Sequence, residues 1–402
     1  MRNVQKKAPT RLLIIVLVGF PQISESIFTP VLPALSQAMA VSASQIQWTM
    51  SSYFVAFAVG VLWWGQLADR IGRRPAMLGG VGLYLLGNLG LLLSPSFGWL
   101  LGFRLLQAFG ASAGSVVTQT IMRESFTGIV GARIFAQTSA AMALAPALGP
   151  LIGGLMQTLG GYSAVFGTLV VMASAVLSYS ALRLPETRPS QVAPATSRQW
   201  PIVQRLLGDP VVWGYGILIG GINGILFSYY AEAPFIFETH FQFSALAYGA
   251  LGLSIAAASL SGALLVSRLL NRWTPEQIIV GGLLLSCGAA LLLWVAAAWD
   301  LAFGMVGGFF LVFLGLNIAL PNALNRALIG YEAVMGSASG WFRLGYYLLV
   351  SALTYGMSLL HSVSIQRLPL YCLVLCVGMG CAYGGLVQRT QARRQGVTDA
   401  TN

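Results

Sequence analysis

Residues 48–93 read WTMSSYFVAFAVGVLWWGQLADRIGRRPAMLGGVGLYLLGNLGLLL, two apolar stretches at 48–68 and 77–93 around a short, charged, glycine-bearing turn. A helix needs about 20 apolar residues to cross the hydrocarbon core of a bilayer. Each stretch approaches that length, and the turn is short enough to fold one back on the other. The segment therefore reads as a pair of membrane-crossing helices joined by a charged surface turn.

Working outward, the same pattern fills the chain. Further spans are predicted at 11–33, 97–121, 134–158, 162–182, 210–230, 246–268, 277–297, 301–323, 337–360 and 367–387. The expected fold is an all-α membrane protein of twelve transmembrane helices in two pseudo-symmetric six-helix bundles. Composition agrees: 56% of the 402 residues are hydrophobic and only 8% charged, against about a quarter charged in soluble domains. The 47 glycines suit helices packed closely in lipid. The predicted divisions are a first bundle at 1–189, a polar, proline-bearing cytoplasmic linker at 190–209, and a second bundle with a short tail at 210–402.

Several function classes drop out. The net charge of +11 comes from basic residues scattered between apolar runs, not clustered on a soluble face as nucleic-acid binding requires. Cys287, Cys372, Cys376 and Cys381 lie in apolar stretches without ligand spacing, so they read as packing residues, and no metal site is expected. His240 and His361 are far apart and form no triad or metal constellation. No GxxxxGK[ST] loop appears, so direct ATP use is not expected. The basic N-terminus followed by an apolar run resembles a signal peptide, but the run holds Glu25 and continues into Pro30 and Pro33, which reads as a retained first span.

Basic residues set the orientation, because cytoplasmic loops keep an excess of Lys and Arg. With the N-terminus inside, all of the 22 Lys and Arg fall on the inner side except Arg367, outside, and Arg104, within a span. Each span reverses the side, so this sorting also supports the count of twelve. Both termini are expected in the cytoplasm. The halves repeat at an offset of about 202 residues, a sign of a transporter built from two related bundles. Pro33 and Ser42 match Pro234 and Ser244, Asp69-Arg70 matches Asn271-Arg272, and Arg123 lies opposite Arg326.

Within the opening segment, the turn runs from Gly65 to Pro75. Membrane anchoring alone would account for Arg70, Arg73 and Arg74 but not for Asp69 or the glycine spacing. Gly65, Asp69, Arg70, Gly72, Arg73 and Arg74 resemble the signature loop of the major facilitator superfamily. The resemblance implies a cytoplasmic latch in which Asp69 meets the start of the eleventh span near Gly336, extended by Arg123 and Glu124. A carboxylate beside a helix N-terminus is favoured by about 0.3–1 kcal/mol.

Arg104–Ala111 is similar to the fourth-helix motif of that superfamily, with Ala108 where glycine is usual. Gly149, Pro150, Gly153 and Gly154 resemble the fifth-helix motif of antiporters, with Ala145 replacing another glycine. Independently of the likeness, Pro150 removes a backbone donor and the glycines admit a close neighbour, which makes a hinge or a tight seal. Leu184–Pro189 is similar to the closing segment of twelve-span drug:proton antiporters, of which the bicyclomycin and chloramphenicol resistance branch is the nearest likeness.

The first span places Gln22, Glu25, Ser26 and Thr29 on one helix face. Arg104, Gln107, Ala111, Ser115 and Thr118 form a similar face in the fourth span. Lipid cannot satisfy such stripes, so they are expected to line a substrate cavity or another helix. From the second bundle, Asn317, Asn322, Tyr346 and Tyr347 are candidate cavity residues, with helix packing or interfacial aromatics as the alternative. Gly216, Gly220 and Gly224 read as a packing ridge, and Glu232 as a candidate gate. An acid and a base within spans are costly, so Glu25 is the expected proton carrier and Arg104 its electrostatic partner.

The resulting expectation is a proton-coupled antiporter of the inner membrane that exports small amphipathic molecules by alternating access. It would be driven by the proton gradient with no cofactor, and the resemblance implies a monomer. The expected partners are a small-molecule substrate, protons and the lipid bilayer, with no nucleic acid. The chain is not expected to be an enzyme. A dedicated exporter of an endogenous metabolite or siderophore is the alternative, and a membrane sensor or non-transporting subunit a weaker one.

Overall fold

The structure is a computed structural model that describes residues 8–126, 128–188 and 199–390. Arg2, Lys6, Lys7, Pro189, residues 190–198 of the expected linker, Arg393 and Arg394 lie outside the described residues. Among the described residues the regular elements are all helical.

The first span, α1 (Arg11–Ser26), starts where the Thr10 hydroxyl accepts from the Leu13 N–H. It does not run smoothly to 33. Pro30 and Pro33 remove donors, so the chain passes through a 3-10 turn at Thr29–Val31 into α2 (Leu32–Ala38). The next helix, α3 (Ala43–Ile71), begins before the apolar stretch at 48, because Ser42 and Gln45 close a reciprocal capping box. Gly72, at φ +105°, makes the reversal into α4 (Arg73–Leu92), and α5 (Phe97–Ser125) follows. The helix α6 (Gly128–Arg183) is two helices meeting at Gly160 and Gly161, the latter at φ +66°.

The described part of the expected linker contains a helix, α7 (Gln199–Gly208). Its Ile202 and Leu206, at i and i+4, are buried with Val212, Tyr331 and Ala338, and the Arg205 guanidinium lies 4.5 Å over the Tyr331 ring. That apolar pair turns a segment of polar composition into a docked helix. Then come α8 (Pro210–Pro234), prolonged by a π-helical turn at Phe235–His240, α9 (Ala245–Leu269), α10 (Pro275–Ala298) and α11 (Ala302–Arg326). The chain ends in α12 (Met335–Leu359) and α13 (Arg367–Ala382), which continues as a π-helical turn at Tyr383–Gln388.

Ten candidate spans are both long and apolar enough to cross a membrane among the described residues. One of them, in α6, is 43 residues long, about twice what one crossing needs, and the Gly160–Gly161 bend divides it. The 25-residue α12 completes the twelve; its Ser, Gly and Arg343 lower its hydropathy. The helices form two compact units, one of Met1–Ser197 with Phe237–Ala256 and one of Arg198–Ile236 with Ala257–Asn402.

Candidate functional site

The polar residues of unit 1 converge in its interior. Arg104, on α5, is fully buried. Its guanidinium lies 4.4 Å from the Phe28 ring centroid and 4.3 Å from that of Tyr53, contacts worth about 2 kcal/mol each when desolvated. Its Nη1 donates to Gln107 Oε1 at 2.5 Å and its Nε to the Thr49 carbonyl at 3.4 Å. Gln107 passes the chain on, donating to Asn88 Oδ1 at 2.5 Å, and Asn88 donates to the Tyr84 carbonyl at 2.9 Å. Three helices, α3, α4 and α5, together with Phe28 just after α1, thus hold one cation by ring faces, amides and carbonyls.

Glu25, on α1, is 3% exposed, and its Oε1 has no hydrogen-bond partner. Arg104 spends its donors elsewhere, so the two interact through the low-dielectric interior and not as a direct ion pair. The hydroxyls of Ser24, Tyr53 and Tyr84 are also buried without a well-formed hydrogen bond. Buried polar atoms are nearly always satisfied. A pocket of unsatisfied oxygens around a carboxyl is therefore suited to take up a proton or the donor groups of a ligand.

The other expected cavity residues are distributed differently. The Ser26 hydroxyl donates to Gln22 O at 3.0 Å and Ala145 O at 3.5 Å, and Thr29 donates to Ser26 O at 3.0 Å. Both are buried where α1 meets α6, while Gln22 and Ser115 are half-buried. In unit 2, Asn317 and Asn322 donate to the carbonyls of Phe313 and Ile318, one turn back. Tyr346 and Tyr347 pack ring to ring at 4.6 Å. Gly216, Gly220 and Gly224 face Phe342, Leu349 and Leu353 of α12, as a packing ridge should. Glu232, on α8, is buried and bonded to His361, 2.9 Å away.

The fifth-helix glycines sit at a close crossing. A side chain at Gly149 would meet Ser26 Oγ, and one at Gly153 would meet the Ile27 carbonyl. Gly154 faces the Ala245 carbonyl, while Gly249 of α9 faces the carbonyl of Pro150. One face of α6 therefore admits α1 and the adjoining face admits the first turns of α9.

The charged turn is a network. Arg73 Nη1 meets Asp69 Oδ1 at 2.5 Å, and its Nη2 meets Glu124 Oε1 at 2.6 Å, with Nε at 3.1 Å from Glu124 Oε2. Asp69 keeps 56% of its side chain exposed, whereas Arg73 keeps 5%. Glu186 caps α4: its oxygens accept from the Arg73 N–H at 2.9 Å and the Arg74 N–H at 3.1 Å. A side chain at Gly72 would meet that carboxylate. The Arg188 guanidinium donates to the Arg70 carbonyl at 2.7 Å, Arg123 is exposed, and Gly65 lies in ordinary contact with Val116. Sequence reasoning found Glu124 but missed Glu186, Asn88, Tyr53, Tyr84 and Phe28.

A sequence model described as the Major Facilitator Superfamily matches residues 14–355. The chain belongs to the major facilitator superfamily. It is 31% identical over 361 residues to a chloramphenicol resistance protein of Pseudomonas aeruginosa, covering 88% of this chain and 85% of the relative. It is 30% identical over 388 residues to an uncharacterized transporter of Rickettsia felis, covering 94% and 96%. Its fold is similar to that of a crystallised D-xylose-proton symporter, at a TM-score of 0.74 and 13% identity over 92% of this chain and 96% of that one. The protein is a multi-pass membrane transporter and not an enzyme.

Proposed function

We propose that this transporter is a proton-coupled antiporter that exports small amphipathic molecules across a bacterial inner membrane by alternating access, as a monomer with both termini in the cytoplasm. The observation that carries the reading is the buried Glu25 carboxyl, its Oε1 unpartnered, in the same interior as the fully buried Arg104. Ionisable groups within spans are expensive and mark ion and proton paths. Glu25 takes the coupled proton, and Arg104 biases its release through the field it exerts. The unsatisfied hydroxyls of Ser24, Tyr53 and Tyr84 offer contacts to the cargo or to water. The resemblance of this chain to a chloramphenicol resistance protein supports drug-like cargo. The proton gradient is the energy source, without a cofactor. Asp69, half in solvent, is the member of the charged turn free to change partners during the cycle.

Substrate-induced proton release from purified protein in detergent tests the coupling. The parent should release protons when chloramphenicol or another amphipathic cargo binds, and Glu25→Gln should release none. If Glu25→Gln releases protons as the parent does, Glu25 is not the carrier. Reconstituted protein with an imposed pH gradient then tests direction across a compound panel: accumulation coupled to proton counterflow fits antiport, and accumulation with the proton overturns it.

A further inference from the structure

The far end of α8 carries an ionisable pair that the coupling cluster of unit 1 does not use. Glu232 has 3% of its side chain exposed, and both of its oxygens lie 2.9 Å from His361 Nδ1. His361 stands just after α12, in the connection to α13, with 22% of its side chain exposed. Phe235, one turn beyond Glu232, meets the imidazole edge-on, with ring centroids 5.3 Å apart. The imidazole is therefore gripped twice, by a carboxylate of α8 and by a ring just past its end. Phe235 also opens the π-helical turn at Phe235–His240, a distortion that recurs at functional sites.

The partner of this buried acid is the informative feature. The pairs Arg73–Glu124 and Glu276–Arg326 use arginine, which stays charged at any accessible pH. The chain has only two histidines, and one of them faces a buried carboxylate across 129 residues of sequence. Histidine changes charge within about pH 5–8. A carboxylate holds a neutral imidazole by a hydrogen bond alone but an imidazolium by a hydrogen bond and the attraction of opposite charges, which is strong where solvent is excluded, so the grip on α8 depends on the proton.

We propose that Glu232 and His361 form a second proton-binding site, a clasp that fastens the end of α8 to the α12–α13 connection and tightens when His361 takes up a proton. α8 packs against α11, α12 and α13. The titratable or charged groups these elements bring towards this end are Tyr355 of α12, Arg367 and Tyr371 of α13, and Asp300 in the turn before α11. Tyr229, Tyr230, Glu238 and His240 lie on α8 or its extension. Tyr371 is committed to the Leu353 carbonyl at 2.7 Å, and Arg367 is a fixed charge. The clasp stands independently of whether Glu25 carries the transported proton.

Hydrogen exchange on the purified full-length protein, without substrate, tests the clasp. After correction for intrinsic rates, backbone amides of 228–240 and 355–366 should exchange about fivefold more slowly at pH 6 than at pH 8. Glu232→Gln and His361→Asn should abolish the difference, whereas Arg367→Gln should keep it. His361→Lys, a fixed charge, should stay protected at both pH values even if Glu232→Gln folds poorly. No pH dependence in the parent, its survival in His361→Asn, its loss in Arg367→Gln, or a pH-dependent His361→Lys would each overturn the proposal. No Glu25 variant or cargo enters the experiment, so its failure and that of the antiport reading are separable.

Discussion

The two units pin the same pair of helix ends with charges of opposite arrangement. In unit 1 a cation, Arg73, opens α4 and an anion, Glu124, closes α5; in unit 2 an anion, Glu276, opens α10 and a cation, Arg326, closes α11. The positions correspond at the repeat offset of about 202 residues. Their surroundings differ more than their charges. Arg73 has 5% of its side chain exposed and also holds Asp69, whereas Arg326 and Glu276 keep 30% and 29% exposed and pair with each other. A buried network depends on each member, while a pair that keeps about 30% of each side chain in solvent is partly screened and contributes less.

The largest difference should come from truncating the two arginines. Arg73→Ala leaves Glu124 and Asp69 without their common partner and should cost about 3 kcal/mol, the lower end for breaking a buried pair. Arg326→Ala should cost less than about 1 kcal/mol. Thermal and denaturant unfolding of the purified variants measures both, and equal losses would refute the contrast between buried network and partly exposed pair.

Exchanging the charges sharpens the same comparison. Glu276→Arg with Arg326→Glu should remain destabilised by only about 1 kcal/mol, because the re-formed pair sets a cation in the first turn of α10 and an anion in the last turn of α11, against both helix dipoles. Arg73→Glu with Glu124→Arg should remain destabilised by about 2 kcal/mol, since the new acid would face Asp69 and the Glu186 carboxylate. Full recovery of both doubles would mean that the surrounding network of unit 1 contributes nothing.

Glycine crossings give a smaller test. Gly149→Ala would drive its methyl group against Ser26 Oγ and the Ile27 N–H of α1, while Gly220→Ala meets the flexible end of Leu349. Overpacking should cost about 2 kcal/mol at the first position and below about 1 kcal/mol at the second. If Gly149→Ala unfolds like the parent and transports normally, the α1–α6 crossing is looser than described.

Particular residues show why the spans were legible in sequence and the site only in part. Long apolar runs marked the crossings, while local capping moved one end at Ser42 and prolines interrupted the first span at Thr29–Val31. Glu25, Arg104 and Gln107 stood out because polar groups in apolar runs are conspicuous. Tyr53, Tyr84 and Phe28 did not, since an aromatic in a span looks like packing until a guanidinium is found on its face. For Ser26 and Thr29 the sequence left a cavity wall and a helix contact both open: their hydroxyls bond back to nearby carbonyls, and a hydroxyl stripe alone does not distinguish the two. Matching like charges aligned Arg123 with Arg326, yet it is Glu124 that fills the paired position. Pairing is a property of two helices in space, and Glu186 meets Arg73 across 113 residues.

The smallest expected effect separates the units by pH. Both α4 and α10 need acceptors for the free N–H groups of their first turn. Unit 2 uses a neutral one: Thr274 Oγ1 accepts from the Gln277 N–H at 3.3 Å, and Gln277 Oε1 accepts from the Thr274 N–H at 2.9 Å. Unit 1 uses the Glu186 carboxylate. Partial burial pushes that carboxyl up, but the backbone N–H groups of Arg188, Arg73, Arg74 and Thr187 outweigh it and hold it below its ordinary value. A carboxyl depressed in the folded state stabilises the fold above its unfolded value, about 4.3, and that contribution is lost as pH falls through the folded value. Thermal unfolding of Glu186→Gln should therefore differ from the parent at pH 5–7 and converge with it as the pH falls below about 4. Thr274→Ala should lose about 1 kcal/mol with no such convergence, because a hydroxyl does not titrate there. A Glu186→Gln deficit that persists unchanged to pH 3 would show that the amide fails for reasons of shape, and that the charge at the start of α4 is incidental.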